Sequence, residues 1–233
     1  MRRAHGLALA VAAVALVPRF SSAQAPMETS KSVAGGGISI AGWAGKIDPN
    51  EEKNGQVLNN SKLAKEGDLL HVTTGPAVAY WNAENTASGD YTVKATFTEA
   101  KYMGLNSHPH PYGLFIGGND MGTADQSYLY CAAYGNGTFI IRGFGPAPFQ
   151  IGARAPNAAV HKAAAVGEPV TQDIAMSVKG DKVECAVNGT VVGSVDKSAV
   201  VTAGKLKAAD GVYGIRFSHN TEATVSGLTM TKP

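Results

Sequence analysis

Three tight-turn signals between short runs of alternating apolar and polar residues constrain the fold of this chain most strongly. They are Gly135-Asn136-Gly137, Gly180-Asp181 and Asn188-Gly189. Asn-Gly is typical of a two-residue hairpin turn in which both central residues take a positive φ. Residues 170–195, which contain two of these signals, are therefore predicted to form three consecutive antiparallel strands.

Alternation elsewhere in the chain predicts strands at the spacing of a sandwich. Over residues 91–98, Tyr91, Val93 and Phe97 share one face and threonines the other, so one face is buried. Further strands are predicted at residues 69–73, 78–81, 112–116, 127–134, 138–144, 170–179, 182–188, 190–195, 211–218 and 223–231. One candidate helix, residues 157–165, is as compatible with an irregular loop. We predict an all-β, antiparallel two-sheet β-sandwich with at most one short helix.

The amino terminus has the pattern of a secretory signal peptide. Arg2 and Arg3 precede an apolar run over residues 6–17, and small residues follow at Ser21 and Ala23. The run is shorter than the roughly 20 residues that cross a bilayer. We predict a signal peptide at residues 1–23, a flexible segment at 24–40 and a sandwich domain at 41–233. The expected location is secreted or periplasmic, with no membrane attachment after cleavage.

Charge argues against a nucleic-acid partner. The chain has 20 Lys and Arg residues against 18 Asp and Glu. Three of the arginines lie in the predicted signal peptide, so the rest of the chain is nearly neutral. A nearly neutral domain lacks the basic surface with which proteins bind nucleic acids and anionic membranes.

The two cysteines, Cys131 and Cys185, each occupy an apolar position of a predicted strand. An oxidising compartment permits a disulfide between them. Two separate buried thiols are the alternative, because a free cysteine behaves as a small apolar residue.

The order of strands and turns resembles that of concanavalin A-like and laminin G-like jelly rolls. The resemblance rests on the strand–turn–strand–Val187-Asn188-Gly189–strand pattern, on the strand that returns at residues 211–218, and on residues 108–118 and 127–130. The layout is most similar to the secreted 3-keto-disaccharide hydrolase-like domains. This implies a jelly-roll fold, a carbohydrate or glycan partner and, as an alternative, glycoside hydrolase-like or lyase activity. The Glu-x-Asp-x-x-Glu motif of β-glucan-cleaving members is not matched by Glu66, Asp68 and His71.

One loop carries candidate catalytic residues. His108 and His110 alternate with prolines, which restrict the loop, and Asp120 follows shortly afterwards. Either histidine could act as a general base, with Asp120 as its orienting group or as the acid. Tyr112 and Asn119 belong to the same polar and aromatic cluster and are candidate substrate contacts. No metal site is predicted, because a zinc site would need a further ligand from distant parts of the chain, where the histidines are His71, His161 and His219.

A second cluster is predicted on one sheet face. Tyr128 and Tyr130 share a strand phase, Arg142 lies in the matching phase of the next strand, and Arg216 could join them. Aromatic rings cover the C–H patches of sugars, and arginine reaches their hydroxyl or carboxylate groups. The alternative is that these tyrosines are ordinary core residues of the sandwich.

No cofactor is predicted, although one short loop gathers oxygen ligands that would suit Ca²⁺: Asp48, Asn50, Glu52 and Asn54. Its glycine spacing does not fit an EF-hand loop, so a solvated turn is the favoured interpretation and a calcium site the alternative. Three functions remain open for the chain: an exported glycan-binding domain, a hydrolase or lyase acting on sugars, and a structural or adhesive module that binds protein.

Overall fold

The structure is a computed structural model that describes Met1 and residues 28–103 and 110–233. Almost all of the predicted signal peptide, and His108, lie outside the described residues. Within the described ranges the chain forms strands joined by turns, with two short α-helices and one 3₁₀ turn at Leu58–Asn60. In this part of the chain no helix is long and apolar enough to cross a membrane.

The elements follow one another along the chain in this order: β1 Gly37–Ile38, β2 Trp43–Ile47, α1 Pro49–Lys53, β3 Lys62–Glu66, β4 Leu69–Thr73, β5 Val78–Ala87, β6 Tyr91–Glu99, β7 Tyr112–Asn119, β8 Ser127–Tyr134, β9 Thr138–Phe144, β10 Pro148–Pro156, β11 Val170–Lys179, β12 Lys182–Val187, β13 Thr190–Asp196, α2 Lys197–Val200, β14 Gly211–Phe217 and β15 Glu222–Thr231.

The strands form two sheets that pack face to face. One sheet has eight strands in the order β1-β3-β4-β15-β6-β11-β12-β13, and the other has seven in the order β10-β9-β8-β7-β14-β5-β2. Only β1 and β3 pair in parallel among the described strands. The predicted all-β, two-sheet antiparallel sandwich is therefore confirmed, with two one-turn helices where at most one short helix was expected.

The core lies between the sheets and is rich in aromatic rings. The rings of Phe97 and Tyr112 stack at 5.6 Å, and Phe217 packs against both of them. All three side chains are fully buried. Apolar residues that alternate along each strand supply the rest of this core, as the period of two predicts.

A disulfide joins the two sheets across the core. Cys131 on β8 is bonded to Cys185 on β12, with a Cα–Cα distance of 6.2 Å. Both residues point inward, at the apolar phase that the sequence predicted for them. Of the two alternatives, the structure therefore shows the disulfide.

Two segments without a strand pattern are held against the sandwich by hydrogen bonds. Residues 157–165 form a loop, because Gln172 Nε2 donates to His161 O and Asn188 Nδ2 donates to Ala159 O, and these contacts fix the backbone without a helix. In the segment predicted to be flexible, residues 28–40 contact the sandwich. Lys31 N donates to Asn220 Oδ1, and Gly37–Ile38 pairs with β3.

Candidate functional site

The outer face of the seven-stranded sheet carries a row of small residues around Arg216, beneath a cavity whose lining includes Arg216 and Ala132. Across neighbouring strands, Arg216 lies opposite Ala79 on one side and Gly113 on the other, and Gly113 lies opposite Ala132. Residue 113 must be glycine, since a Cβ there would come within 1.9 Å of Cys131 O. Arg216 is therefore the one long side chain at the centre of this row.

Arg216 is held as a buried ion pair. Its Nη2 donates to Asp48 Oδ2 at 2.5 Å, and its Nη1 donates to the backbone oxygen of Phe217. The guanidinium also lies over the rings of Tyr130 and Phe144, at 5.4 and 5.8 Å from their centroids. Only 5% of Arg216 is exposed. Burial raises the pKa of the Asp48 carboxyl, and the nearby Arg216 opposes that rise.

A row of larger side chains borders this row of small residues on one side. Phe115 lies opposite Tyr130, and Tyr130 lies opposite Arg142 on the next strand. This is the adjacency of Tyr130 and Arg142 that the alternating sequence pattern predicted. Burial raises the pKa of Tyr130, while Arg216 and Arg142 favour its ionised form. Tyr130 thus stays a neutral phenol between two guanidinium groups.

A second tyrosine–arginine pair lies further along the same face. The guanidinium of Arg154 lies 5.2 Å from the ring centroid of Tyr134. Arg142 and Arg154 are both exposed, and neither forms an ion pair with a carboxylate of residues 28–103 or 110–233. These two cations are therefore available to a ligand, unlike Arg216.

The cavity over this face has a volume of about 910 Å³. Its lining includes Tyr130, Tyr134, Arg142, Arg154 and Arg216. The lining also includes carboxylates and imidazoles, with Glu28, Asp48, Glu51, His110 and His219 among them. Positive and negative groups therefore line one concavity, and Arg216 and Asp48 meet within it.

The part of the cavity lining that contains His110 and His219 brings together residues that are distant in the sequence. His110 Nε2 lies 3.1 Å from His219 Nε2 and 3.6 Å from Glu28 Oε2. His219 Nδ1 lies 3.6 Å from Glu51 Oε1. His110 thus lines the cavity, and its neighbours there include His219 and Glu28.

The structure does not bring Asp120 to His110. The two residues flank opposite ends of β7, and an eight-residue strand spans about 26 Å. Asp120 forms an exposed ion pair with Lys207. The structure therefore does not place Asp120 within hydrogen-bonding reach of His110, and His108 lies outside the described residues.

Three other predicted site residues, Asn119, Tyr112 and Tyr128, make their contacts within the protein. Asn119 Nδ2 donates to the backbone oxygens of Gly117 and Asp210, which ties the end of β7 to the residue before β14. Tyr112 is a core residue whose hydroxyl lies beside the Glu99 carboxyl. Tyr128 lies on the outer face but is 1% exposed, packed against Phe115 and Phe144.

The suggested calcium loop does not assemble. Residues 49–53 form the short helix α1, in which positions two apart, such as Asn50 and Glu52, point to different sides. The Asp48 carboxylate is already engaged by Arg216. The oxygen ligands therefore do not converge on one point.

Sequence reasoning missed four residues of the cavity. Arg154 lies on β10, an edge strand with weak alternation, and Glu28 and Glu51 lie on segments without a strand pattern. His219 was only one of three distant histidines, with nothing in the sequence to link it to His110. The pairing of β7 with β14, which the sequence does not reveal, is what places the two histidines opposite each other.

Comparisons with known proteins agree on the fold. No protein-family model matches the sequence, and a search of curated protein sequences found no match. The structure is similar to the carbohydrate binding module CBM66 from Bacillus subtilis, with a TM-score of 0.53, 12% identity, and coverage of 84% of this chain and 98% of that one.

Two further similar structures have the same architecture. A Bacillus subtilis protein of unknown function with a galectin-like fold has a TM-score of 0.56 and 12% identity over 82% of this chain and 89% of that one. An endo-β-1,3-glucanase from Pyrococcus furiosus has a TM-score of 0.51 and 12% identity over 85% and 91%. At these identities the similarity shows the fold alone, a two-sheet jelly-roll β-sandwich.

Proposed function

We propose that this protein is an exported glycan-binding domain whose ligand occupies the cavity on the outer face of the seven-stranded sheet. The observation that carries the proposal is the cavity edge at which Tyr130 lies directly opposite Arg142. The similarity to a carbohydrate binding module and to a glucanase is consistent with such a ligand.

The chemistry of the cavity suits a sugar. Tyrosine rings present flat apolar surfaces to C–H groups, while phenol and guanidinium groups hydrogen-bond to hydroxyls. The small residues Ala77 and Ala132 are part of the lining, so the protein's own side chains leave the concavity open there. A filled or flat face would instead favour the structural or adhesive alternative.

The two available arginines favour an acidic sugar. Arg142 and Arg154 lie on the same side of the cavity and have no carboxylate partner among the described residues. A guanidinium binds a carboxylate through two parallel hydrogen bonds. We therefore expect uronic-acid or similarly anionic glycans to bind more tightly than neutral ones.

Glycan-array screening followed by calorimetry on the best ligand tests this proposal. Arg142→Ala should weaken binding about 10–100-fold, because a hydrogen bond to a charged group contributes roughly 1.5–3 kcal/mol. Tyr130→Phe keeps the ring and removes only the hydroxyl, so it should weaken binding less. The double variant Tyr130→Ala, Arg142→Ala should abolish binding.

The matched control is Lys94→Ala, which removes an exposed cation from the outer face of the other sheet. It should bind the ligand as the unmodified protein does. Unchanged binding by the Tyr130→Ala, Arg142→Ala variant would exclude this cavity as the glycan site.

Export is part of the proposal. It is supported by the amino-terminal sequence pattern and by the Cys131–Cys185 disulfide, which forms in oxidising compartments. Cell fractionation with mass spectrometry of the protein's amino terminus would test it, and an intact terminus in the cytoplasmic fraction would contradict it.

Sugar cleavage is the alternative that the cavity leaves open. Glu28, Glu51, His110 and His219 line the same space as the proposed ligand. Most glycosidases use two carboxyl groups on either side of the scissile bond. Release of reducing ends from a bound glycan, lost in Glu51→Gln but kept in Asp120→Asn, would favour this alternative over binding alone.

A further inference from the structure

We propose that Glu28, His110 and His219 form a binding site for a divalent first-row transition metal, with Zn²⁺ the ion that fits best. Their ligand atoms all lie within 4.8 Å of one another on the wall of the cavity. The proposal goes beyond glycan binding and does not depend on it.

Strand pairing sets the two histidines face to face. Tyr112 on β7 pairs with Phe217 on β14, and the ladder continues where Ser218 N donates to Pro111 O at 2.9 Å. The next residue on each side is a histidine, so His110 and His219 are cross-strand neighbours. Their Nε2 atoms lie 3.1 Å apart, with the rings nearly perpendicular.

The third ligand is positioned by a buried asparagine. Asn220 Nδ2 donates to Glu28 Oε1 at 3.0 Å and to Thr29 O, and it is 4% exposed. Glu28 Oε2 accepts no hydrogen bond from the described residues. That oxygen is directed at the histidines instead, at 3.6 Å from His110 Nε2.

These separations match a metal centre. In a tetrahedral zinc site with Zn–N distances of about 2.0–2.1 Å, neighbouring ligand atoms are about 3.3 Å apart. The observed 3.1 and 3.6 Å lie on either side of that value. Two imidazoles in a set of three favour zinc and related transition metals over Ca²⁺ or Mg²⁺, which prefer oxygen ligands.

An outer carboxylate supports one of the ligands. Glu51 Oε1 lies 3.6 Å from His219 Nδ1, on the side of the ring away from His110. Glu51 is fixed in turn, because Ser30 Oγ donates to its Oε2 and Ala77 N to its Oε1. A carboxylate behind a ligating histidine fixes the tautomer that leaves Nε2 free for a metal.

The site has three protein ligands and opens onto the cavity. Zinc sites of this kind keep the fourth position for water or substrate, whereas structural sites are closed by a fourth side chain. A metal here would therefore present an exchangeable position to a molecule in the cavity.

Zinc titration of untagged, chelator-treated full-length protein tests the proposal, by calorimetry and by competition with a chromophoric chelator. The unmodified protein should bind one equivalent at this site. His219→Ala and Glu28→Gln should each lower the affinity by more than about 100-fold, the upper end of the effect of losing an outer-shell partner. His71→Ala, which removes a histidine that lies 3.4 Å from Glu66 on a different sheet, should change nothing.

Two further variants show whether zinc binds at this cluster and not elsewhere in the cavity. Glu51→Gln should weaken zinc binding about 10–100-fold without removing a ligand. Arg142→Ala should leave zinc binding unchanged, whatever it does to glycans. If the unmodified protein binds no zinc, or if both His219→Ala and Glu28→Gln bind it as tightly as the unmodified protein, the cluster is an ordinary polar contact of two histidines and a carboxylate and the proposal is wrong.

Discussion

The buried pair of Arg216 and Asp48 predicts that Asp48→Asn alone lowers the free energy of unfolding far more than Asp48→Asn combined with Arg216→Met. Asp48→Asn keeps the size of the side chain but leaves the Arg216 guanidinium, 5% exposed, without its counter-charge. Removing one partner of a buried ion pair typically lowers the free energy of unfolding by about 3–5 kcal/mol. Asp48 retains 20% exposure of its side chain, so we expect the lower end, about 3 kcal/mol.

Urea unfolding followed by tryptophan fluorescence measures this change. The exposed pair of Lys179 and Glu184 provides the control, and Glu184→Gln should lower the free energy of unfolding by no more than about 1 kcal/mol. The double variant Asp48→Asn, Arg216→Met removes the buried charge altogether and should recover most of the loss. If Asp48→Asn is no more destabilising than Glu184→Gln, Arg216 reaches water by another route and the reasoning fails.

Two other measurements test the sandwich itself. The Cys131–Cys185 disulfide spans 54 residues, so replacing both cysteines with alanine should lower the free energy of unfolding by about 4 kcal/mol through loop entropy; equal urea midpoints would contradict this. Burial raises the pKa of Glu99 from 4.5 to about 7, against a backbone hydrogen bond from Met103. Between those pH values Glu99 is protonated in the folded protein but ionised in the unfolded chain. The free energy of unfolding should therefore fall as the pH rises through this range. Glu99→Gln should remove that fall and be more stable than the unmodified protein by about 2–3 kcal/mol at pH 8. If the free energy of unfolding changes with pH in the same way in both proteins, Glu99 is not desolvated.

The sequence predicted the fold where strands are amphipathic and turns are chemically specific. Residues 127–134, 138–144 and 170–179 match β8, β9 and β11 in the structure. The strands that were missed carry weaker signals. β3 is a short strand between the short strands β1 and β4, and β10 is an edge strand bounded by prolines with mostly exposed side chains. Such strands form because their backbone hydrogen-bonds to a neighbouring strand, and the local sequence pattern of a segment does not reveal that neighbour.

The candidate site was predictable to the extent that it depends on neighbouring strands. Tyr130 and Arg142 are joined by one tight hairpin, so the phase of each strand was enough to place them opposite each other. His110 and His219 are separated by about half the chain and meet because β7 pairs with β14. Strand order of this kind is decided by the packing of the whole sandwich. Asp120 shows the opposite case, since it is near His110 in the sequence but the extended strand β7 separates the two residues.

The register of β14 explains how one strand serves both the core and the cavity. Ile215 and Phe217 point into the core, so Arg216 points outward and lines the cavity. A shift of one residue would place the guanidinium between the sheets, where an unpaired charge is strongly unfavourable. Arg216 therefore fixes the register that also carries the ladder to Ser218 and brings His219 opposite His110. Apolar replacements of buried ion pairs are often neutral or stabilising, so we expect this pair to contribute more to the register than to stability. The glycan and metal sites proposed for this cavity both depend on that register.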